Sequence, residues 1–318
     1  LAFILKVGFA SCLLWLVGCS DSPQHADPNF KPQNSTPRFA EHNSPVVFID
    51  QAHHNFLTLH GRYKPFAQVL ESDGYTVKPN RHTLSLASLS NIDVLVIANA
   101  LDRKRSDFQP PYGQAFTNEE ITDIKTWVSK GGALFLVADH APFPKVIENL
   151  AEAFGFEFSN GHVGDAVFNR QQGTLAEHPI TAAPLKEATN IYGVAMHNAI
   201  RAKATERYID QIRSFGGSAF KPPSGAFSLL SMKAGSTAIV PSVPFEVNAN
   251  TKRITIDGWS QGAVMELGRG RVAVFAEGMM FSSQIDTRTG QKLGLTSQGA
   301  EQNERFLLNV VAWLVKGL

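Results

Sequence analysis

Cysteine is nearly absent: the chain holds two, Cys12 and Cys19. Beyond residue 19 no thiol can form a disulfide, ligate a metal or attack a substrate. A charge excess is missing too. Lys plus Arg number 29 against 28 Asp plus Glu, and no basic stripe carries interleaved aromatics, so no nucleic-acid partner is expected. The cofactor and metalloprotease signatures are also lacking. No G-x-G-x-x-G follows the first strand-like run after the N-terminal region, no P-loop occurs and no H-E-x-x-H occurs, so no nucleotide cofactor is expected.

Long apolar runs are confined to the N-terminus. Residues 1–18, LAFILKVGFASCLLWLVG, contain one Lys and read as a secretory signal, being short for a membrane span. Leu16-Val17-Gly18-Cys19 resembles a bacterial lipobox. The expectation is a diacylated Cys19 that anchors the chain to a bacterial envelope membrane, facing the periplasm; Ser20 favours the outer membrane. Residues 19–44 follow with four prolines and no apolar period. They read as a disordered tether, whose roughly 25 residues would reach about 25–30 Å.

From residue 45 to 318 the pattern alternates, and no second linker interrupts it, so one domain is expected. Val46 to Asp50 is a β-branched run, and Phe66, Val69 and Leu70 mark a helix over 63–72 closed by Gly74. A strand follows at 75–78. Asp93 to Ala98 and Ala133 to Ala138 are continuous apolar runs, as parallel strands covered on both faces require. Thr117-Asn118-Glu119-Glu120 spells a capping box. Helices are expected over 146–154 and 303–315, and a strand over 271–276. This rhythm predicts an α/β fold with a doubly wound, mostly parallel sheet. Residues 215–270, rich in Gly, Pro and Ser, read as antiparallel hairpins at one sheet edge, with strands at 226–232, 236–240, 253–257 and 263–267.

Open α/β sheets bind ligands outside the carboxyl ends of their strands. Here those ends carry Asp50, Asn99, Asp139 and Glu277, and the adjoining loops add His53, His54, Asn55 and His140. Alternation sets His53 and His54 on opposite sides, and His53 is the one expected to face the site. Asp139-His140 can supply a carboxylate and an imidazole, or Asp139 can cap the helix near Pro144. Arg62 can bind an anion or pair with Asp73, and His197 can reach the same edge. His60, His82, His162 and His178 read as surface or structural. The expected catalytic set is His53, Asp139, His140 and Glu277, with Asp50, Asn55, Arg62, Asn99 and His197 contacting substrate. A divalent metal such as zinc is compatible with scattered His and Asp, though no spacing demands one. Gly258-Trp259-Ser260-Gln261-Gly262 fits G-x-S-x-G, but strand-like residues follow it and no His occurs after His197, so it reads as a hairpin turn.

The segments FIDQAHHNF, FLVADHAPFP, EHPITAAPL, GRGRVAVFAEGMMFSSQ and NERFLLNVVAWL together resemble an uncharacterised family of type 1 glutamine amidotransferase-like domains. That group includes the ThuA-like proteins. The resemblance spans about residues 45–316 and implies a flavodoxin-like sandwich. It departs from true amidotransferases, which carry a cysteine nucleophile; without one, glutamine hydrolysis by a thiolate is excluded. Two functions are therefore expected as alternatives. One is an envelope hydrolase using His and carboxylate chemistry on a small polar or carbohydrate molecule. The other is a lipoprotein that binds a ligand or an envelope partner without catalysis.

Overall fold

A computed structural model describes residues 23–105, 107–181 and 208–318. Strands in chain order are β1 (Gln24–Ala26), β2 (Val46–Asp50), β3 (Thr76–Asn80), β4 (Val94–Ala98), β5 (Ala133–Val137), β6 (Glu157–Phe158), β7 (Ala166–Asn169) and β8 (Gln211–Ser214). They continue as β9 (Phe220–Lys221), β10 (Phe227–Ser231), β11 (Thr237–Val240), β12 (Lys252–Thr255), β13 (Ser260–Leu267), β14 (Gly270–Phe275), β15 (Ser283–Asp286) and β16 (Lys292–Gly294). The helices are α1 (Lys64–Ser72), α2 (Asn118–Ser129), α3 (Phe143–Val146), α4 (Glu148–Ala153) and α5 (Asn303–Leu314).

The fold is mixed α/β around a nine-stranded sheet ordered β3-β2-β4-β5-β14-β13-β9-β6, with β10 also paired to β13. The first five strands of that order run parallel. β4 and β5 are buried at every residue because helices cover both faces. Side chains alternate between the two sides. Val94, Val96 and Phe135 pack with Phe66 and Leu70 of α1 and Phe306 and Val310 of α5. Leu95, Ile97 and Leu134 pack with Ile121, Ile124 and Val128 of α2 and Leu150 of α4.

The expected capping box forms. Thr117 Oγ1 accepts the Glu120 N–H at 3.2 Å, and Glu120 Oε2 accepts the Thr117 N–H at 3.1 Å; such a cap stabilises a helix by about 1 kcal/mol. The helix expected over 146–154 is instead the pair α3 and α4. Among the hairpin strands, β10 and β13 extend the main sheet, whereas β11 and β12 form a separate two-stranded pair that bridges to His162 through Ile239. Ser260 opens β13, is fully buried and bonds Ser228, Leu230 and Gly262, so the G-x-S-x-G stretch is no nucleophile elbow.

One expectation is overturned. The tether does not hang free over residues 23–44. β1 pairs antiparallel with β15, and Phe30 is buried in the core. Gln33 and Asn34 donate their N–H groups to Glu304 Oε1 at 2.8 and 2.9 Å, and Arg38 pairs with Asp73 at 3.7 Å. The polar, proline-rich composition was misleading because backbone groups, the polar side chains of Asn34 and Arg38, and the rings of Phe30 and Phe39 make these attachments, and none of them leaves a periodic signature.

Candidate functional site

The histidine expected to act as base is engaged at both nitrogens. β2 ends at fully buried Asp50, whose Oδ2 lies 2.8 Å from His53 Nδ1. His53 Nε2 lies 3.0 Å from Glu120 Oε1. Both partners are carboxylates that only accept, so the ring carries both protons as an imidazolium. Burial works against that charge, but Asp50 and Glu120 outweigh it and hold the pKa above its ordinary value. Asn80 donates to Asp50 Oδ1 at 2.9 Å, Asn55 reaches Asp50 Oδ2 at 2.7 Å, and the Phe116 ring packs at a tilt 4.2 Å from the imidazole. Asp50, His53 and Asn55 thus form a closed strut between β2, β3 and the start of α2. His53, expected as catalyst, and Asp50 and Asn55, expected as substrate contacts, are instead buried and bonded among themselves and to Asn80 and Glu120. His54 is exposed, with its backbone in the left-handed region at a φ of 49°.

A different group gathers one strand pair further on. β5 and β14 are parallel neighbours with Val137 opposite Phe275, so Asp139 and Glu277 leave adjacent strand ends together. Both border a cavity of about 160 Å³, along with Arg62, His140, Gln24, Gln284, Phe56, Phe143 and Phe215. A water takes roughly 30 Å³ of liquid, so the space suits several waters or one small molecule. Gly217 forms part of the wall; a Cβ there would strike the Ala276 carbonyl and crowd Glu277.

Asn99, at the end of β4, holds Asp139 from both sides. Its Nδ2 donates to Asp139 Oδ2 at 2.8 Å, and its Oδ1 accepts the Asp139 N–H at 2.9 Å. Asn99 is fully buried and adopts a φ of 54°, a left-handed backbone that Asn tolerates better than most residues. It therefore positions Asp139, in place of the substrate contact expected of it. Asp139 does not cap the following helix; Pro142 stands at that N-cap without a side-chain bond. Its second oxygen, Oδ1, is buried and accepts no hydrogen bond of ordinary geometry, although the Gly278 N–H lies close enough to pull on the carboxyl.

Glu277 accepts N–H bonds from Met279 at 2.6 Å, Met280 at 2.9 Å and Phe215 at 3.4 Å. Those donors favour its anion, yet burial and the neighbouring Asp139 push its pKa up to about 8. Burial likewise raises Asp139, against the pull of His140, Asn99, the Gly278 N–H and Arg62. Two buried carboxyls this close cannot both ionise readily, so the pair holds a proton at neutral pH.

His140 Nδ1 lies 2.7 Å from the Ala141 carbonyl, which can only accept, so Nδ1 carries a proton. The ring stacks on His162 at 4.7 Å and meets Phe245 at 5.0 Å. Burial and His140 lower the His162 pKa to about 4, which keeps that ring neutral. Arg62 lies 4.1 Å over the Phe56 ring, and its Nε donates to the Gln24 carbonyl at 2.8 Å. Asp73 is left to Arg38.

Of the expected residues, Asp139, His140, Glu277 and Arg62 share the cavity, with Asn99 behind Asp139; His53 does not line it. His197 and Cys19 lie outside the described residues. Gln24, Gln284 and Phe215 carried no signal in the sequence; His162, read as surface or structural, stacks on His140 and does not line the cavity. Among the described residues no three His, Cys, Asp or Glu side chains group as metal ligands.

No family model and no curated protein matches the chain. Among solved structures it is similar to the mmIFT52 N-terminal domain, with a TM-score of 0.54, 15% identity, and 85% of this chain and 97% of that one covered. It also matches a protein called ThuA-like from Bacteroides uniformis, with a TM-score of 0.42, 12% identity and coverage of 91% and 95%. The first likeness shows a shared fold and extends no further.

Proposed function

We propose that the protein is a hydrolase whose acid–base unit is the Asp139–Glu277 pair, acting on a small polar molecule, with carbohydrates the leading class. The observation that carries this is Asp139 Oδ1, buried without an ordinary hydrogen bond beside a second carboxyl of raised pKa. Hydrolysis needs one proton removed and one supplied. The ionised member takes a proton from the attacking water while the protonated member gives one to the leaving atom. The shared proton ends on the opposite carboxyl, and exchange with solvent resets the pair. Arg62 faces an anionic or developing negative group, and His140 Nε2 accepts from a substrate hydroxyl or the water. The fold is read as a flavodoxin-like, doubly wound sheet of the ThuA-like kind, whose ligands sit at the carboxyl ends of the strands.

A binding role without catalysis is the second reading. It is favoured by Glu277, whose oxygens already have three backbone partners, as a structural carboxylate would. The full chain assayed against chromogenic glycosides, esters and amides separates the two. Turnover that falls about 10²-fold or more in Asp139→Asn supports hydrolysis. Saturable calorimetric binding of the same compounds with no turnover of any of them sinks it and leaves the binding protein.

The envelope location is proposed on the sequence alone. Cys19→Ala should abolish lipidation and release the protein from membranes; unchanged membrane partition would overturn the anchor.

A further inference from the structure

We propose that β1 is a releasable wall of the Asp139–Glu277 cavity, and that a ligand enters by displacing it; this rests on that cavity being the ligand site. Gln24 lines the cavity, although it comes from the far N-terminal side of the domain. The strand is three residues long and, among the described residues, pairs only with β15, Gln24 opposite Asp286 and Ala26 opposite Gln284. Bonds from Thr287 N–H to the Pro23 carbonyl and from Asp27 N–H to the Ser283 carbonyl, each 2.9 Å, bracket the pairing.

The attachment is uneven along the segment. Downstream, buried Phe30 and the Gln33 and Asn34 bonds to Glu304 fix the chain to the core. Between these anchors and β1 sits a turn, in which Asp27 Oδ1 accepts the Asn29 N–H at 2.9 Å and the Asp27 carbonyl accepts Phe30 at 3.2 Å. That turn is a natural pivot. The entropy of ordering so few residues is comparable to the net worth of their hydrogen bonds, so the strand belongs to the low-stability end of the molecule.

Release would act directly on the cavity. Gln284 lies in the strand that β1 covers, and its Oε1 is buried without a partner. Arg62 Nε would lose the Gln24 carbonyl. β1 thus couples access to the cavity with one of the bonds that hold its cation.

The test is a thiol reporter, since residues 23–318 contain no cysteine. Met279→Cys places a thiol in the cavity lining. Labelling of the full chain by a small disulfide reagent is read by mass spectrometry on the peptide containing residue 279, so Cys12 and Cys19 do not interfere. Adding His25→Pro, which a strand tolerates poorly, should raise the labelling rate about tenfold or more. The rate should stay flat in low urea, because strand release exposes little surface. An unchanged rate, or one that rises only along the global unfolding curve, overturns the proposal. No substrate is needed, so either result leaves the hydrolase reading to its own assay.

Discussion

Two carboxylate–imidazole clusters stand at the same edge of the parallel strands, and they are finished differently. Around His53 both ring nitrogens meet carboxylates, Asp50 is held by Asn80, and Glu120 closes a helix cap. Around Asp139 one oxygen accepts no ordinary hydrogen bond, the neighbouring Glu277 is pushed up to about 8, and His140 keeps one nitrogen free. A crowd of titratable residues at a strand end is therefore not itself a site. The satisfied cluster fixes the structure, while the incomplete one keeps the capacity to meet a ligand.

The largest effect should come from breaking the complete cluster. His53→Ala leaves two buried carboxylates without their cation and should cost about 3 kcal/mol or more of stability in urea denaturation. A loss under about 1 kcal/mol would mean that the two clusters do not differ in the way described.

Next in size is a pH effect from the incomplete cluster. Glu277 titrates near 8 in the folded chain against an ordinary 4.5, so the native state holds a proton that the unfolded state gives up. Its contribution is fully present below pH 4.5, declines through the interval and is lost above 8. By linkage this decline is several kcal/mol at most, about 1.4 per pH unit. His162 and His178, which burial lowers to about 4, make stability rise with pH over the lower part of that interval. Glu277→Gln should therefore turn the slope between pH 4.5 and 6.5 upward by about 1.4 kcal/mol per pH unit relative to the unsubstituted protein. His53, whose folded pKa is raised, adds its own decline only from pH 6.5 upward, so Glu277→Gln should leave that later fall in place. A slope unchanged by Glu277→Gln would remove the carboxyl pair from the account.

The smallest effect on stability belongs to His140→Ala. The ring is half-buried and makes one side-chain hydrogen bond to its neighbour's carbonyl, so thermal unfolding should change by less than about 1 kcal/mol. A large loss would make His140 a second strut and narrow the contrast with His53.

Much of this contrast was legible at the level of strands. Asp50, Asn99, Asp139 and Glu277 could be set at strand ends because each closes an apolar run, and their convergence at one sheet edge followed from parallel pairing. Their roles were not legible. His53 is completed by Glu120, 67 residues away, which reads from sequence only as part of a helix cap. The wall at Gln24 was hidden because a three-residue strand held by backbone bonds imposes no pattern on its side chains. The Asp139 oxygen left without an ordinary hydrogen bond depends on where Asn99 points, a matter of one side chain's orientation.

The most direct measurement is a carbon-13 NMR titration of the side-chain carboxyls, with Asp139→Asn and Glu277→Gln used to assign the two signals. The account predicts that one carboxyl of the pair stays protonated at neutral pH and titrates near 8, and that replacing either residue brings the survivor's pKa down. Both carboxyls titrating below about 5 in the unsubstituted protein, with neither responding to loss of the other, would contradict it.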